Sequence, residues 1–199
     1  MLIMGKRVYI RRLTRKDVEQ LKNWGTHEDP LFETYNFPKT NEQYRDYWYR
    51  EKQGKMFRKI FGVFLQEGRL VGYITLKRIR RFQKKAELGV VFDPVELSKG
   101  YGKEALALFL SHWLREEKYN EIYLIVGAFN QRAKKVYRQL GFVKEYEYWE
   151  GFENPKITPE ILMELGYKEE YFKIYKGEVY CKYERMRIRE ENIHIVHKN

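Results

Sequence analysis

Apolar residues recur along this chain in two rhythms, and the switches between them outline its elements. Alternation over residues 6–12 predicts an edge strand. Thr14 stands three before Asp17, a variant of the capping box, and Val18, Leu21 and Trp24 follow at helical spacing. Residues 25–39 hold Pro30 and Pro38 and read as an irregular connection. Thr40 or Asn41 then caps a second helix, rich in Tyr44, Tyr47 and Trp48. Residues 61–65 and 70–76 form a strand pair joined by a two-residue turn at Glu67-Gly68. Residues 86–92 are the next strand, closed by Asp93-Pro94. Leu106, Phe109, Leu110, Trp113 and Leu114 mark one face of a long helix, and residues 122–126 make another apolar strand. A further helix carries Ala133, Val136, Tyr137 and Leu140 on one face and ends at Gly141-Phe142.

This strand–helix–strand–helix order implies one parallel pair inside an otherwise antiparallel sheet, an α+β chain of mixed α/β character. Residues 143–149 read as a strand. Residues 151–177 hold Pro155, Pro159 and a short helical pattern at Ile161, Leu162 and Leu165. Residues 178–188 return as a strand with Val179, Cys181, Tyr183 and Arg185 on one face. No internal repeat or separating linker interrupts the chain. We expect one domain over 1–189, with an insert at about 151–177 before the last strand and a tail over 190–199.

The composition narrows the class. At 199 residues, with 43% hydrophobic and 17% aromatic positions, the chain buries a full core. No apolar run reaches the roughly 20 residues of a membrane helix, so no membrane partner is expected. Residues 1–12 lead into a strand and not into a cleavable signal. The one cysteine, Cys181, excludes an internal disulfide and reads as a small buried hydrophobe of a cytoplasmic protein. It supplies no metal-ligand spacing, and His194 and His197 alone make a poor metal site. An excess of 39 basic over 28 acidic residues gives +11 and favours anionic partners, a nucleotide-type cofactor or nucleic acid. A solvated surface rich in Lys, Arg and Glu accounts for the same excess.

The chemistry concentrates between Ser98 and Gly141. Gly100-Tyr101-Gly102 follows a strand and opens a helix, so main-chain N–H groups and the positive end of a helix dipole converge on one point. Gly100 and Gly102 let a diphosphate approach the backbone closely, and Lys99 and Lys103 add positive charge. The turn lacks the third glycine of a dinucleotide fingerprint and the Lys-Ser/Thr ending of a P-loop. Taken singly, it also fits a tight strand-to-helix connection, Asn130 an ordinary N-cap and Tyr137 a core tyrosine.

Together, Ser98-Lys99-Gly100-Tyr101-Gly102 after Ala86-Glu87-Leu88, and Asn130-x-x-Ala133-x-x-x-Tyr137-x-x-x-Gly141-Phe142 after an apolar strand, resemble the GNAT superfamily of N-acetyltransferases. The likeness covers residues 7–149 and the last strand, and is nearest the branch of ribosomal-protein N-terminal acetyltransferases and spermidine acetyltransferases. It implies about seven strands, mostly antiparallel, with a splayed central parallel pair and about four helices. It also implies acetyl-coenzyme A (acetyl-CoA) as donor and no metal. By this resemblance, backbone N–H groups of Leu97, Ser98, Lys99, Gly100, Tyr101, Gly102 and Lys103 hold the pyrophosphate. The strand edge at Val90, Val91 and Phe92 pairs with pantetheine amides. Asn130 and Ala133 orient the cofactor arm, and Tyr137 protonates the departing thiolate. Leu97 departs from the pattern, which usually has Arg or Gln three residues before the first glycine.

Glu87 matches the position of a glutamate base in some relatives; a carboxylate satisfied by a neighbouring Arg or Lys is the other reading. A lysine-type amine with pKa about 10.4 is neutral in roughly one molecule in two thousand at pH 7, whereas an α-amine near about 7.7–8.0 needs far less help. Arg78, Arg80, Arg81, Lys84 and Lys85 favour an acidic or RNA-associated acceptor surface, while Glu28, Asp29 and Glu33 near His27 favour a cationic amine. We expect direct acetyl transfer to a primary amine, most simply a protein N-terminal α-amine, with nucleic acid involved only through a ribosomal protein. A polyamine or other small amine is the alternative acceptor, and a catalytically silent acyl-CoA binding domain the alternative role. The chain is expected as a monomer or homodimer.

Overall fold

The structure, a computed structural model, describes residues 1–37, 41–53 and 57–193. In chain order its strands are β1 (Leu2–Met4), β2 (Val8–Arg12), β3 (Lys59–Leu65), β4 (Leu70–Arg80), β5 (Lys85–Phe92), β6 (Glu121–Gly127), β7 (Val143–Gly151), β8 (Phe172–Tyr175) and β9 (Glu178–Ile188). The α-helices are α1 (Glu42–Gln53), α2 (Tyr101–Ser111), α3 (Gln131–Leu140) and α4 (Pro159–Glu164). All strands join one sheet in the order β1-β2-β3-β4-β5-β6-β9-β7, with β8 on β9. Every pairing is antiparallel except β5 with β6, the parallel pair expected. Among the described residues no helix is long and apolar enough to cross a membrane.

Nine strands stand where about seven were expected. The additions, β1 and β8, have three and four residues, too few for alternation to register. β1 pairs with β2, so β2 is not the edge strand that its sequence suggested. The hairpin turn is also longer than the expected two residues. β3 ends at Leu65 and β4 starts at Leu70, with the Leu65 N–H donating to the Arg69 carbonyl at 2.9 Å and Gly68 at φ +91°. The first predicted helix is a 3-10 segment, Lys16–Asn23, and Asp17 accepts from the Thr14 N–H at 2.8 Å. Asn41 caps α1, accepting from the Tyr44 N–H at 2.9 Å. Thr40 lies outside the described residues, as do His194 and His197, and the tail opens with a 3-10 turn at Glu190–Asn192.

Neighbours along a strand point to opposite faces, and β3 shows how this separates two cores. Phe61 and Val63 join Leu88, Phe109, Leu124 and Met186 beneath α2 and α3. Ile60 and Phe64 pack on the other face with Val18, Leu21, Trp24 and Trp48. The insert makes a third cluster, in which Ile157, Leu162 and Phe172 pack on Val179, Cys181 and Tyr183 of β9. β6 and β8 take successive stretches of one edge of β9, and β7 takes the other edge.

The parallel pair holds for only three positions, Lys85↔Glu121, Ala86↔Ile122 and Glu87↔Tyr123. Beyond Glu87 the strands share no pairing, so residues 88–92 keep β4 on one edge and leave the other open. This split positions the site.

Candidate active site

β5 runs into a short 3-10 turn, Pro94–Glu96, capped by Asp93, whose carboxylate accepts from the Val95 N–H at 3.2 Å and the Gly25 N–H at 3.0 Å. Leu97 donates its own N–H to the Pro94 carbonyl at 3.3 Å, so the row of available donors begins one residue later than expected. Ser98 at φ +63° and Gly100 at φ +85° turn the chain through the left-handed region. The first intrahelical bond of α2 runs from the Glu104 N–H to the Gly100 carbonyl at 3.1 Å. Among the described residues, the N–H groups from Ser98 through Lys103 therefore have no acceptor in the chain. Six donors at a helix start suit an anion such as a diphosphate.

The turn is held from outside by Arg7. Its guanidinium donates to the Lys99 carbonyl at 2.9 Å and to Glu104 at 2.8 Å. A Cβ on Gly100 would lie 3.0 Å from that guanidinium, and one on Gly102 would lie 3.3 Å from the Phe92 ring. Gly100 is therefore favoured for its left-handed conformation as well as for closeness, and Gly102 for closeness alone. The flanking lysine charge is partly neutralised, since Lys99 bridges Glu96 at 3.1 Å.

The residues present fit coenzyme A. The free amides would suit a diphosphate, and the open edge of β5 at Val90, Val91 and Phe92 offers main-chain partners for an extended amide-bearing arm. Asn130 caps α3 as an ordinary N-cap, accepting from the Ala133 N–H at 3.1 Å, so that amide is engaged within the chain. The cap fixes the helix that carries Tyr137, and Gly141 at φ +102° ends it. The Tyr137 ring packs against Phe142 at 5.6 Å, and burial pushes its hydroxyl up to about 12.

Glu87 lies at the point where β5 and β6 part. It is buried, Lys77 contacts one carboxylate oxygen at 3.0 Å, and Arg78 holds the other. Both carboxylate oxygens already have a cationic partner, so the geometry favours the satisfied-carboxylate reading. Three more of the basic residues before Glu87 are also engaged. Lys85 pairs with Glu121 at 3.6 Å, Lys84 reaches the Glu117 carbonyl at 3.3 Å and Arg80 reaches Gln83 at 3.3 Å.

The other end of the cleft is a cavity of about 170 Å³ beside Val91, walled by Trp24, Tyr35, Phe37, Trp48 and Tyr73. The turn Pro30–Tyr35 that carries Tyr35 is tied to the insert. Asn154 donates to the Pro30 carbonyl at 3.0 Å, Lys156 pairs with Glu33, and Phe32 packs on Phe129 at 5.3 Å. Asp29 caps this turn, accepting from the Leu31 N–H at 2.9 Å, and His27 stacks on Phe32 at 5.5 Å. Burial, then Glu153, raises the Tyr35 hydroxyl's proton affinity, and burial pushes the Cys181 thiol up to about 12. Sequence reasoning missed Arg7, Tyr35, Tyr73 and Glu153. Arg7 reaches Glu104 across 97 positions and Asn154 reaches Pro30 across 124, so no local pattern marks them.

Comparison with known proteins agrees with this geometry. A family model described as an acetyltransferase (GNAT) domain matches residues 7–143. A Bacillus subtilis protein named "Probable N-acetyltransferase YjcK" is 27% identical over 153 residues, covering 72% of this chain and 84% of that protein. Escherichia coli spermidine N(1)-acetyltransferase is 29% identical over 86 residues, 43% of this chain and 46% of that protein. The structure of Vibrio cholerae spermidine N-acetyltransferase in complex with CoA and spermine aligns with a TM-score of 0.68 at 19% identity, over 94% of this chain and 98% of that one. This chain belongs to the GNAT acetyltransferase family and is an acetyl-CoA dependent N-acetyltransferase.

Proposed function

We propose that this enzyme acetylates a primary amine of a small aliphatic amine of the polyamine class. The observation that carries the reading is the strapped acceptor end, where Asn154 and Lys156 of the insert hold the Pro30–Tyr35 turn over the cavity. A polypeptide N-terminus needs a wide approach, whereas an unbranched amine threads a narrow one. The relatives named spermidine acetyltransferases support the same choice. It takes the place of the protein N-terminal α-amine expected from the sequence, and the ribosomal-protein association goes with it.

Acetyl-CoA supplies an activated acyl carbon and a thiolate leaving group. The amides of Ser98 to Lys103 hold its diphosphate, and Tyr137 offers its hydroxyl to the sulfur. With its pKa raised to about 12, Tyr137 keeps its proton throughout the physiological range. The same water-poor surroundings make a thiolate a stronger base, which offsets the weaker acidity of the phenol. Glu87 neutralises Lys77 and Arg78 beside the strand split, so an amine meets less positive charge there.

The test follows thiol release against monoamines, diamines, polyamines and short peptides between about pH 6 and 10. Small amines should be preferred, with kcat/KM rising about tenfold per pH unit toward about 10, where such an amine loses its proton. A preference for peptides, with a profile levelling near about 8, would overturn the reading.

A further inference from the structure

Tyr35 stands between two parts of the cleft. On one side its ring lines the cavity with Tyr73 and Val91. On the other, burial and then the Glu153 carboxylate raise the proton affinity of its hydroxyl, and the same carboxylate acts on Tyr183 and Cys181 of β9. The Glu153 backbone is fixed on both sides. The Phe152 N–H donates to the Val179 carbonyl at 2.8 Å, and Asn154 is bonded to Pro30 at 3.0 Å.

Three carboxylates around this end are otherwise engaged, and Glu28 is exposed beside His27. Asp29 caps a turn, Glu33 pairs with Lys156, and Glu87 holds Lys77 and Arg78. Glu153 is exposed, and among the described residues it has no ion-pair partner. The aromatic cavity does not suit a second cation of the acceptor, because Lys52 already lies there, with its ammonium 5.7 Å from the Trp48 ring centroid. Burial, then Arg58 and Lys77, lowers the proton affinity of Lys52, so a further positive charge beside it would be repelled. A second ammonium therefore finds its counter-charge outside the cavity.

We propose that Glu153, delivered by the insert, binds the non-reacting ammonium of a diamine or polyamine and so sets acceptor specificity. With Phe152 bonded to β9 and Asn154 bonded to Pro30, Glu153 is delivered beside the Pro30–Tyr35 turn, and the methylene stem of the amine would lie along Tyr35. The ammonium donates to the carboxylate, and the Tyr35 and Tyr183 hydroxyls supply further polar partners. This rests on the polyamine-class reading of the acceptor.

The test compares wild type with Glu153→Gln, using diaminobutane and butylamine as acceptors at saturating acetyl-CoA. The diamine-to-monoamine ratio of kcat/KM should fall about 10- to 100-fold, the loss expected for a charge-assisted hydrogen bond. Coenzyme A affinity should be retained, and Glu153→Asp should recover part of the ratio. An unchanged ratio in an enzyme that prefers diamines would overturn the role of Glu153 alone. Equal loss for both amines would mark a structural residue and overturn it too. A wild type that turns over monoamines but no diamine would overturn this role and the acceptor reading together.

Discussion

At the α2 end of the cleft the groups left open to a ligand are main-chain N–H donors from Ser98 to Lys103, whereas at the Tyr35 end the cavity is walled by side chains from distant parts of the chain. The first end needs two glycines, a tight turn and a helix start within a short stretch. The second draws on Tyr35 and Tyr73, which wall the cavity, and on the insert that holds the Pro30–Tyr35 turn in place, with Glu153 proposed to join them. A backbone site tolerates side-chain change if the turn survives. A side-chain site changes its acceptor with each substitution. One cleft can thus keep its donor while its acceptor varies.

The contrast is sharpened most by Tyr137, the proposed proton donor. Tyr137→Phe removes the hydroxyl and leaves the ring packed on Phe142. Turnover should fall roughly 10- to 1,000-fold with coenzyme A affinity nearly unchanged. Unchanged turnover in steady-state assays would remove Tyr137 from the acid role.

The independence of the two ends can be broken through the insert. Leu162 is fully buried in the third cluster, and Leu162→Ala should destabilise it by about 2–5 kcal/mol. Acceptor KM should rise while calorimetric coenzyme A affinity stays the same. A parallel loss of coenzyme A affinity would mean that the ends are coupled. A smaller effect is expected at Glu87. Glu87→Gln leaves Lys77 and Arg78 without their counter-charge, and kcat/KM should drop about threefold to tenfold at every pH. A loss confined to low pH would restore Glu87 as the general base.

The same contrast explains what could be read from the amino-acid order. The β5–α2 turn, the α2 stripe from Leu106 to Leu110 with Trp113 and Leu114 in the π-helical turn that extends it, and the Asn130 cap are local, and their residues stand where periodicity and turn chemistry put them. β1 and β8 were too short to announce themselves, and β2 lost its edge position to one of them. The engagement of the Leu97 N–H depends on the 3-10 turn at Pro94, which a strand-to-helix pattern does not reveal. Glu87 carried two readings because only the folded register shows Lys77 opposite it. The partners of Arg7 and Asn154 lie 97 and 124 positions away, beyond any local rule.

The central claim is that main-chain donors at the start of α2 hold the carrier of the acetyl group. It is tested most directly by titrating coenzyme A calorimetrically into wild type and Gly100→Val. Valine at φ +85°, with its Cβ 3.0 Å from Arg7, should distort the turn and weaken binding about 10- to 100-fold, with the fold retained by circular dichroism. Equal affinity in the two proteins, or no binding to the wild type, would contradict it.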